Sequence, residues 1–224
     1  MADPTTGEAN RIRSYFGEAS WRPSGGRELL VAERRQLVEQ LVRATQPPLG
    51  ELTVCDVGCG RGWDLERWRS LGVTEDRLSG TELIGERADA ARRALPGASI
   101  ARVEGFEIPF ADESFDLVTA SLVLSSIRDR AGRRALLAEM WRVTRRGGVL
   151  AIYDFRWRKP WNPNVLGVSD SELASALRPP NAEYRLAPFL PLLDASVRLP
   201  RPLASALVAV LPRTHRLWAW TRPR

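Results

Sequence analysis

Three acids and a run of glycines carry the chemistry legible in this chain. Asp56 lies in an apolar, strand-favouring run, L-T-V-C-D-V, and glycines follow at every second position: Gly58, Gly60 and Gly62. Glycines so placed let a ligand approach the backbone where a Cβ would block it, and they let a strand turn sharply into a helix. A dinucleotide site would want its third glycine one residue later, and that position is Trp63, which disfavours a nicotinamide dinucleotide. The second acid, Glu82, ends the run L-S-G-T-E twenty residues after Gly62. There it can accept hydrogen bonds from both hydroxyls of a ribose, or cap the helix that follows. The third acid, Asp154, directly follows another apolar run, and His215 is the only histidine. These two, with Glu18, are the candidate general bases. Cys55 and Cys59 flank the start of the glycine turn, where a disulfide would strain the chain and one distant histidine makes a poor zinc set. They read as small fillers, and no metal is expected.

Such residues need strands that end in turns, and the hydrophobic pattern supplies them. Residues 28–44 place Leu30, Leu37, Val38, Leu41 and Val42 at helical spacing, and Gln46-Pro47-Pro48 ends that helix. Strands are expected at 52–57, 78–83, 99–104, 115–124 and 149–153, alternating with helices at 64–71, 84–95 and 133–143. This alternation predicts a parallel sheet covered on both faces, and the near-continuous apolar run at 115–124 suits a doubly covered strand. Ser121 and Leu122 fall at its carboxyl end, where ligands of open α/β sheets collect. Residues 1–10 are expected to be flexible, and 11–26 to form a loop-rich arm. Its rings, Tyr15, Phe16 and Trp21, either pin the arm to the body or close over a ligand. Beyond Trp157 the pattern loosens into an irregular insert, then a helix capped by Ser169 and Glu172, a sixth strand at 182–186 and two short proline-broken helices in 187–210. An alternating last strand is expected at 217–220.

The spacing D-x-G-x-G-x-G resembles motif I of the class I S-adenosylmethionine (SAM) dependent methyltransferases of the UbiE and small-molecule type. The stretch I-P-F-A-D-E-S-F-D resembles that family's third signature, and R-V-T-R-R-G-G-V-L resembles its R-V-L-x-P-G-G turn, with Arg146 where proline is usual. The motif resemblance covers residues 52–154. It implies a doubly wound α/β fold: a seven-stranded, mostly parallel sheet whose antiparallel last strand inserts between strands five and six. It also implies SAM as cofactor and S-adenosyl-L-homocysteine as product. The matching positions are Asp56, Gly58, Cys59, Gly60, Gly62, Glu82, Leu83, Glu104, Gly105, Ser121 and Leu122. An acid at the first strand's end suits a ligand with a sulfonium and an amino-acid tail better than an anion-binding loop alone would. Glu104 departs from the family's aspartate, so the Gly105 backbone is the firmer expected contact to adenine. Many relatives carry a histidine pair after strand four, and here Ser125 and Ser126 stand in those places. The N-P-P-Y/F tetrapeptide of amino-directed DNA and protein enzymes is absent. On the acceptor side the expected residues are Tyr15, Phe16, Trp21, Ser125 and Trp157.

With 224 residues, 44% hydrophobic and 27% charged, the chain fits one globular domain. Its expected parts are an arm and helix (1–45), a cofactor-binding core (50–155) and an acceptor-side segment (156–224). The net charge of +6 is concentrated in residues 156–224, where eleven basic residues face four acids. That excess suits an anionic acceptor. Nucleic acid is disfavoured, because no recognition domain is appended. No membrane span or signal peptide is recognised, and a cytoplasmic location is expected. The resemblance therefore implies methylation of a small molecule, anionic or hydrophobic, at the oxygen of a metabolite, lipid or sugar. An RNA or protein methyltransferase, or a non-catalytic SAM-binding partner subunit, is the alternative.

Overall fold

The computed structural model describes residues 4–17, 25–157, 162–177, 182–188, 203 and 213–224. Seven strands form one sheet: β1 (Val54–Val57), β2 (Leu78–Glu82), β3 (Ser99–Arg102), β4 (Phe115–Ser121), β5 (Thr144–Phe155), β6 (Ala182–Pro188) and β7 (Arg213–Thr221). Their order is β3-β2-β1-β4-β5-β7-β6. The first five are parallel, and β7 runs antiparallel between β5 and β6. Among the described residues the helices that accompany them are α1 (Pro4–Gly17), α2 (Gly25–Thr45), α3 (Trp63–Ser70), α4 (Gly85–Ala94), α5 (Arg130–Val143) and α6 (Asp170–Ala176). Chain order reverses direction across the sheet between β1 and β4, which is where an open α/β sheet leaves a crevice at its carboxyl edge.

Alternation along each strand divides the core into two layers. Val54, Leu78, Leu117, Val149 and Leu217 face one side, packed with Val42 of α2, Leu65 of α3 and Ala91 of α4. Val57, Val118, Leu150, Ile152 and Trp218 face the other, packed with Leu137 and Met140 of α5 and Ile12 of α1. Burial on both faces is why these central strands read as continuous apolar runs. Gly80 of β2 brings the glycine turn onto the sheet. A Cβ there would lie 2.9 Å from Cys59 Sγ, and the Cys59 amide donates to the Thr81 carbonyl at 2.9 Å.

The sequence expectations miss at three places, each for a physical reason. Residues 4–17 form a helix rather than a flexible segment and loop, because Ala9 and Ile12 are buried and the helix is held by tertiary contacts rather than by its own propensity. β5 starts at Thr144, so the expected turn at 145–148 lies within a strand. The register shifts between Phe115 and Leu117, and Gly148 packs where a Cβ would meet the Asp116 carbonyl at 3.0 Å. β4 stops at Ser121 because Leu122 takes a left-handed φ of 60°. Trp21, Glu18 and most of the proline-broken stretch at 187–210 lie outside the described residues. No helix among the described residues is long and apolar enough to cross a membrane.

The tight approach at Gly80 generates a prediction. Gly80→Val should lower unfolding stability by about 1–3 kcal/mol in denaturant titration, and adding Cys59→Ala should recover part of the loss. Equal stability of Gly80→Val and the wild type would contradict this packing.

Candidate cofactor site

The turn after β1 is built from glycines because its backbone demands them. Gly58, Gly60 and Gly62 have φ of 70°, 58° and 87°, a region that side chains disfavour. Gly58 also lies under the loop that leaves β4, where a Cβ would sit 2.6 Å from Val123 Cγ2. Gly60 has open space on its Cβ side. Glu82, at the tip of the neighbouring strand, fixes this turn. One carboxylate oxygen accepts from the Gly60 amide at 2.8 Å, and the other accepts from the Ile84 amide at 2.8 Å. It therefore serves the turn and the entry to α4 together. A carboxylate offers about four acceptor sites, so two remain for ribose hydroxyls. Cys59 is buried between the turn and Gly80, and burial pushes its thiol and that of Cys55 well up, which keeps both protonated and unreactive.

Asp56 lies beneath the turn in a network of charge. Its carboxylate accepts from Thr119 Oγ1 at 2.6 Å. Burial, and then repulsion from Asp64, push its pKa up to about 7. Asp64, at the start of α3, accepts from Arg34 Nη1 and Nη2 at 2.7 and 2.9 Å and from Arg35 Nε at 2.7 Å. Burial alone would raise Asp64, but the two arginines outweigh it and hold the carboxyl below its ordinary range. Arg34 also donates to the Ser121 hydroxyl and stacks 5.4 Å from the Tyr153 ring centroid. Sequence reasoning missed Arg34, Asp64 and Thr119. A signal was present: Arg34 sits four residues after Leu30 and four before Val38, a charge on the apolar stripe of α2.

The exits of β4 and β5 are tied together. Leu122, 43% exposed, holds its strained backbone by donating its amide to the Tyr153 carbonyl at 2.8 Å. Asp154 is 0% exposed and accepts from the Ser125 amide at 2.9 Å and from its own neighbour's amide, Phe155, at 2.8 Å. Burial raises its pKa to about 6 against these hydrogen bonds. With both oxygens engaged, the buried Asp154 holds the Ser125 loop. His215 is likewise buried. It packs between Tyr153, stacked at 5.4 Å, and Phe155 at 4.2 Å, and its Nδ1 meets Thr214 Oγ1 at 3.0 Å. Both residues expected as candidate bases are therefore buried and engaged.

The remaining expected residues divide between two sides of β1. Leu83 and Glu104 follow β2 and β3, and Gly105 has open space where a Cβ would be. The Glu104 side chain is 71% exposed and pairs with arginines rather than lying in the crevice. Phe106 packs into α5, where a Cβ on Gly132 would lie 2.4 Å from its ring. Ser125 is buried, while Tyr15 and Trp157 are exposed by 40% and 58%. Phe16 packs edge-on to Tyr15, and Tyr15 donates to Asn162 Oδ1 at 3.2 Å. Tyr15 thereby meets the segment that follows β5, the Phe16 carbonyl accepts from Arg87 of α4, and Trp21 lies outside the described residues. Among those residues no group of three or more His, Cys, Asp or Glu could hold a metal ion.

The donor set fits SAM. Two buried carboxylates, Asp56 and Glu82, can meet an ammonium and a ribose, and the open faces at Gly60 and Gly105 leave the backbone approachable. A family profile described as a methyltransferase domain matches residues 55–152. The chain is 30% identical over 223 residues to an uncharacterized methyltransferase of Mycobacterium tuberculosis, covering 94% of this chain and 85% of that protein. It is 22% identical over 160 residues to the ubiquinone/menaquinone biosynthesis C-methyltransferase UbiE of Campylobacter jejuni, covering 70% and 61% of the two chains. Its fold is similar to the crystal structure of geranyl diphosphate C-methyltransferase from Streptomyces coelicolor, with a TM-score of 0.64, 16% identity, and 99% and 100% of the chains covered.

The raised acids set a pH dependence. A carboxyl whose native pKa lies near 7 keeps a proton that the unfolded chain releases near its ordinary value of 3.8. Such a group withdraws stability as pH rises from about 4 to about 7. Thermal midpoints of wild type and Asp56→Asn, compared from pH 5 to pH 8, should diverge with the variant gaining on the wild type as pH rises. A difference independent of pH would contradict the buried, protonated Asp56.

Proposed function

Because this chain belongs to the class I SAM-dependent methyltransferases, we propose that it methylates a small-molecule acceptor, at an oxygen that ionises without an enzymic base. SAM supplies a methyl already activated by its sulfonium. The chain's own part is binding, orientation and exclusion of water, which together supply much of the acceleration in such a displacement. Glu82 and the Gly60 turn hold the nucleoside, Asp56 faces the ammonium, and the Asp154 clamp fixes the Ser125 loop at the exit of β4. The observation that carries the small-molecule reading is the exposure of apolar side chains on the segments that leave β4 and β5, Leu122 and Trp157, with Tyr15 of α1 also exposed and bonded to Asn162 beyond β5. They supply an apolar wall, and Arg156, 5.2 Å from the Trp157 ring, adds a cation beside it. A bulky, apolar molecule with an acidic hydroxyl or a carboxylate suits that wall.

The burial of Asp154 and His215 favours acceptors of low pKa. Asp154 and His215 are buried and engaged, so an unactivated sugar or alkyl hydroxyl would find no group there to take its proton. Phenols, enols and carboxylates need none. A second reading, methylation at an activated carbon, is favoured by the likeness to two C-methyltransferases, UbiE and the geranyl diphosphate enzyme. Both readings demand the same cofactor site and differ in the bond formed to the acceptor.

A radiolabelled methyl screen across phenols, enols, carboxylates and isoprenoid acceptors tests this proposal. Transfer to phenolic, enolic or carboxylate oxygen is expected, with a rate that rises with pH as the acceptor ionises. Label found only on carbon would support the second reading, and label on RNA or protein alone would overturn both. In the same assay Glu82→Ala should weaken SAM by about 1–3 kcal/mol through lost ribose bonds, read from KM and from direct titration. Unchanged affinity would remove Glu82 from the site.

A further inference from the structure

Helix α1 crosses the mouth of the proposed cofactor site and is fastened on both sides. On one side Arg13 Nε donates to the Leu83 carbonyl at 3.3 Å. Its Nη2 donates to the carbonyls of Glu104 at 3.1 Å and Val103 at 3.5 Å, and pairs with the Glu104 carboxylate. On the other side Arg11 donates to Asn164 Oδ1 at 2.9 Å and to the Ser126 carbonyl, while Glu8 accepts from the Arg128 amide. The first set follows β2 and β3, and the second follows β4 and β5. In the sheet these pairs of strands lie on opposite sides of β1, so α1 spans the glycine turn between them.

We propose that Arg13 is the positioning residue that closes α1 over bound cofactor, and that Glu104 acts through Arg13 rather than by reading the adenine base. This rests on the cofactor site proposed above. Glutamate carries one methylene more than the aspartate expected at this position, and its carboxylate turns outward to arginines, Arg13 and, at 3.5 Å, Arg102. An ordinary surface ion pair contributes little. Arg13 differs because one guanidinium joins α1 to three backbone carbonyls and a carboxylate at the tips of two strands. A planar fork of donors holds such a geometry better than a flexible ammonium would. A closed α1 excludes water from the crevice and slows cofactor escape.

The test is the dissociation rate of S-adenosylhomocysteine from the full chain, chased with excess SAM. Arg13→Glu should speed release about five- to tenfold, and Glu104→Ala added to Arg13→Ala should speed it no further than Arg13→Ala alone. Arg102→Ala, which leaves the Arg13 contact intact, should release at the wild-type rate. Should Arg13→Glu fail to fold, Arg13→Ala carries the same expectation of faster release. Release unchanged in the Arg13 variants, or a further increase on adding Glu104→Ala to Arg13→Ala, would overturn the inference while leaving the cofactor site standing. No saturable binding to wild type would remove the cofactor-site reading and this inference with it.

Discussion

The bond on which this structure depends joins the Glu82 carboxylate to two backbone amides, Gly60 at the centre of the glycine turn and Ile84 at the entry to α4. A three-glycine turn has little conformational preference of its own, and fixing it costs more backbone entropy than fixing any other residue type. A buried carboxylate offsets that cost by accepting from the turn directly. The same group orients the chain that leaves β2, so one side chain aligns two strand tips. Gly80 makes the arrangement possible by giving Cys59 room to lie on β2. Loss of the carboxylate would free the turn as well as remove a polar contact for a nucleoside.

Around this centre the charges are arranged unevenly. Asp64 receives two arginines from α2, while Asp56, close by, receives a hydroxyl from Thr119 and has its pKa raised to about 7. One acid is thus held ionised and the other is held near its protonation point in the same crevice. A cationic ligand supplies what Asp56 lacks, so binding and ionisation of that carboxyl reinforce each other. α2 thereby reaches into the site through Arg34, even though it precedes the stretch matched by the family profile. The opposite edge follows another rule: Asp154 uses both oxygens to hold loop amides, which gives the β4 exit a fixed shape.

Much of this was legible in the sequence, for identifiable reasons. The alternation of strands with helices and the place of Asp56, Gly60 and Glu82 follow from local signals: apolar runs, glycine spacing and acids at run ends. The strand order, with an antiparallel β7 between β5 and β6, is what the family resemblance implies and what the sheet shows. What remained hidden depends on contacts between distant segments. α1 reads as a loop because its aromatic and glycine content masks two buried positions, Ala9 and Ile12, that only the folded body defines. The extension of β5 back to Thr144 is masked by a glycine pair that packs against β4. Asp154 reads as a base from its place after an apolar run, but its use is set by the Ser125 amide, twenty-nine residues earlier. Glu104 reads as a partner of adenine until its longer side chain is seen to reach Arg13.

The most direct measurement of the central claim is calorimetric titration of the purified protein with SAM, S-adenosylhomocysteine and NAD. Saturable binding of the first two with none of the third is the result this structure demands. It would follow from two buried acids around a glycine turn that lacks the third dinucleotide glycine at Trp63. Binding of NAD alone, or of none of the three, would contradict the assignment of Asp56, Gly60 and Glu82 to a SAM site.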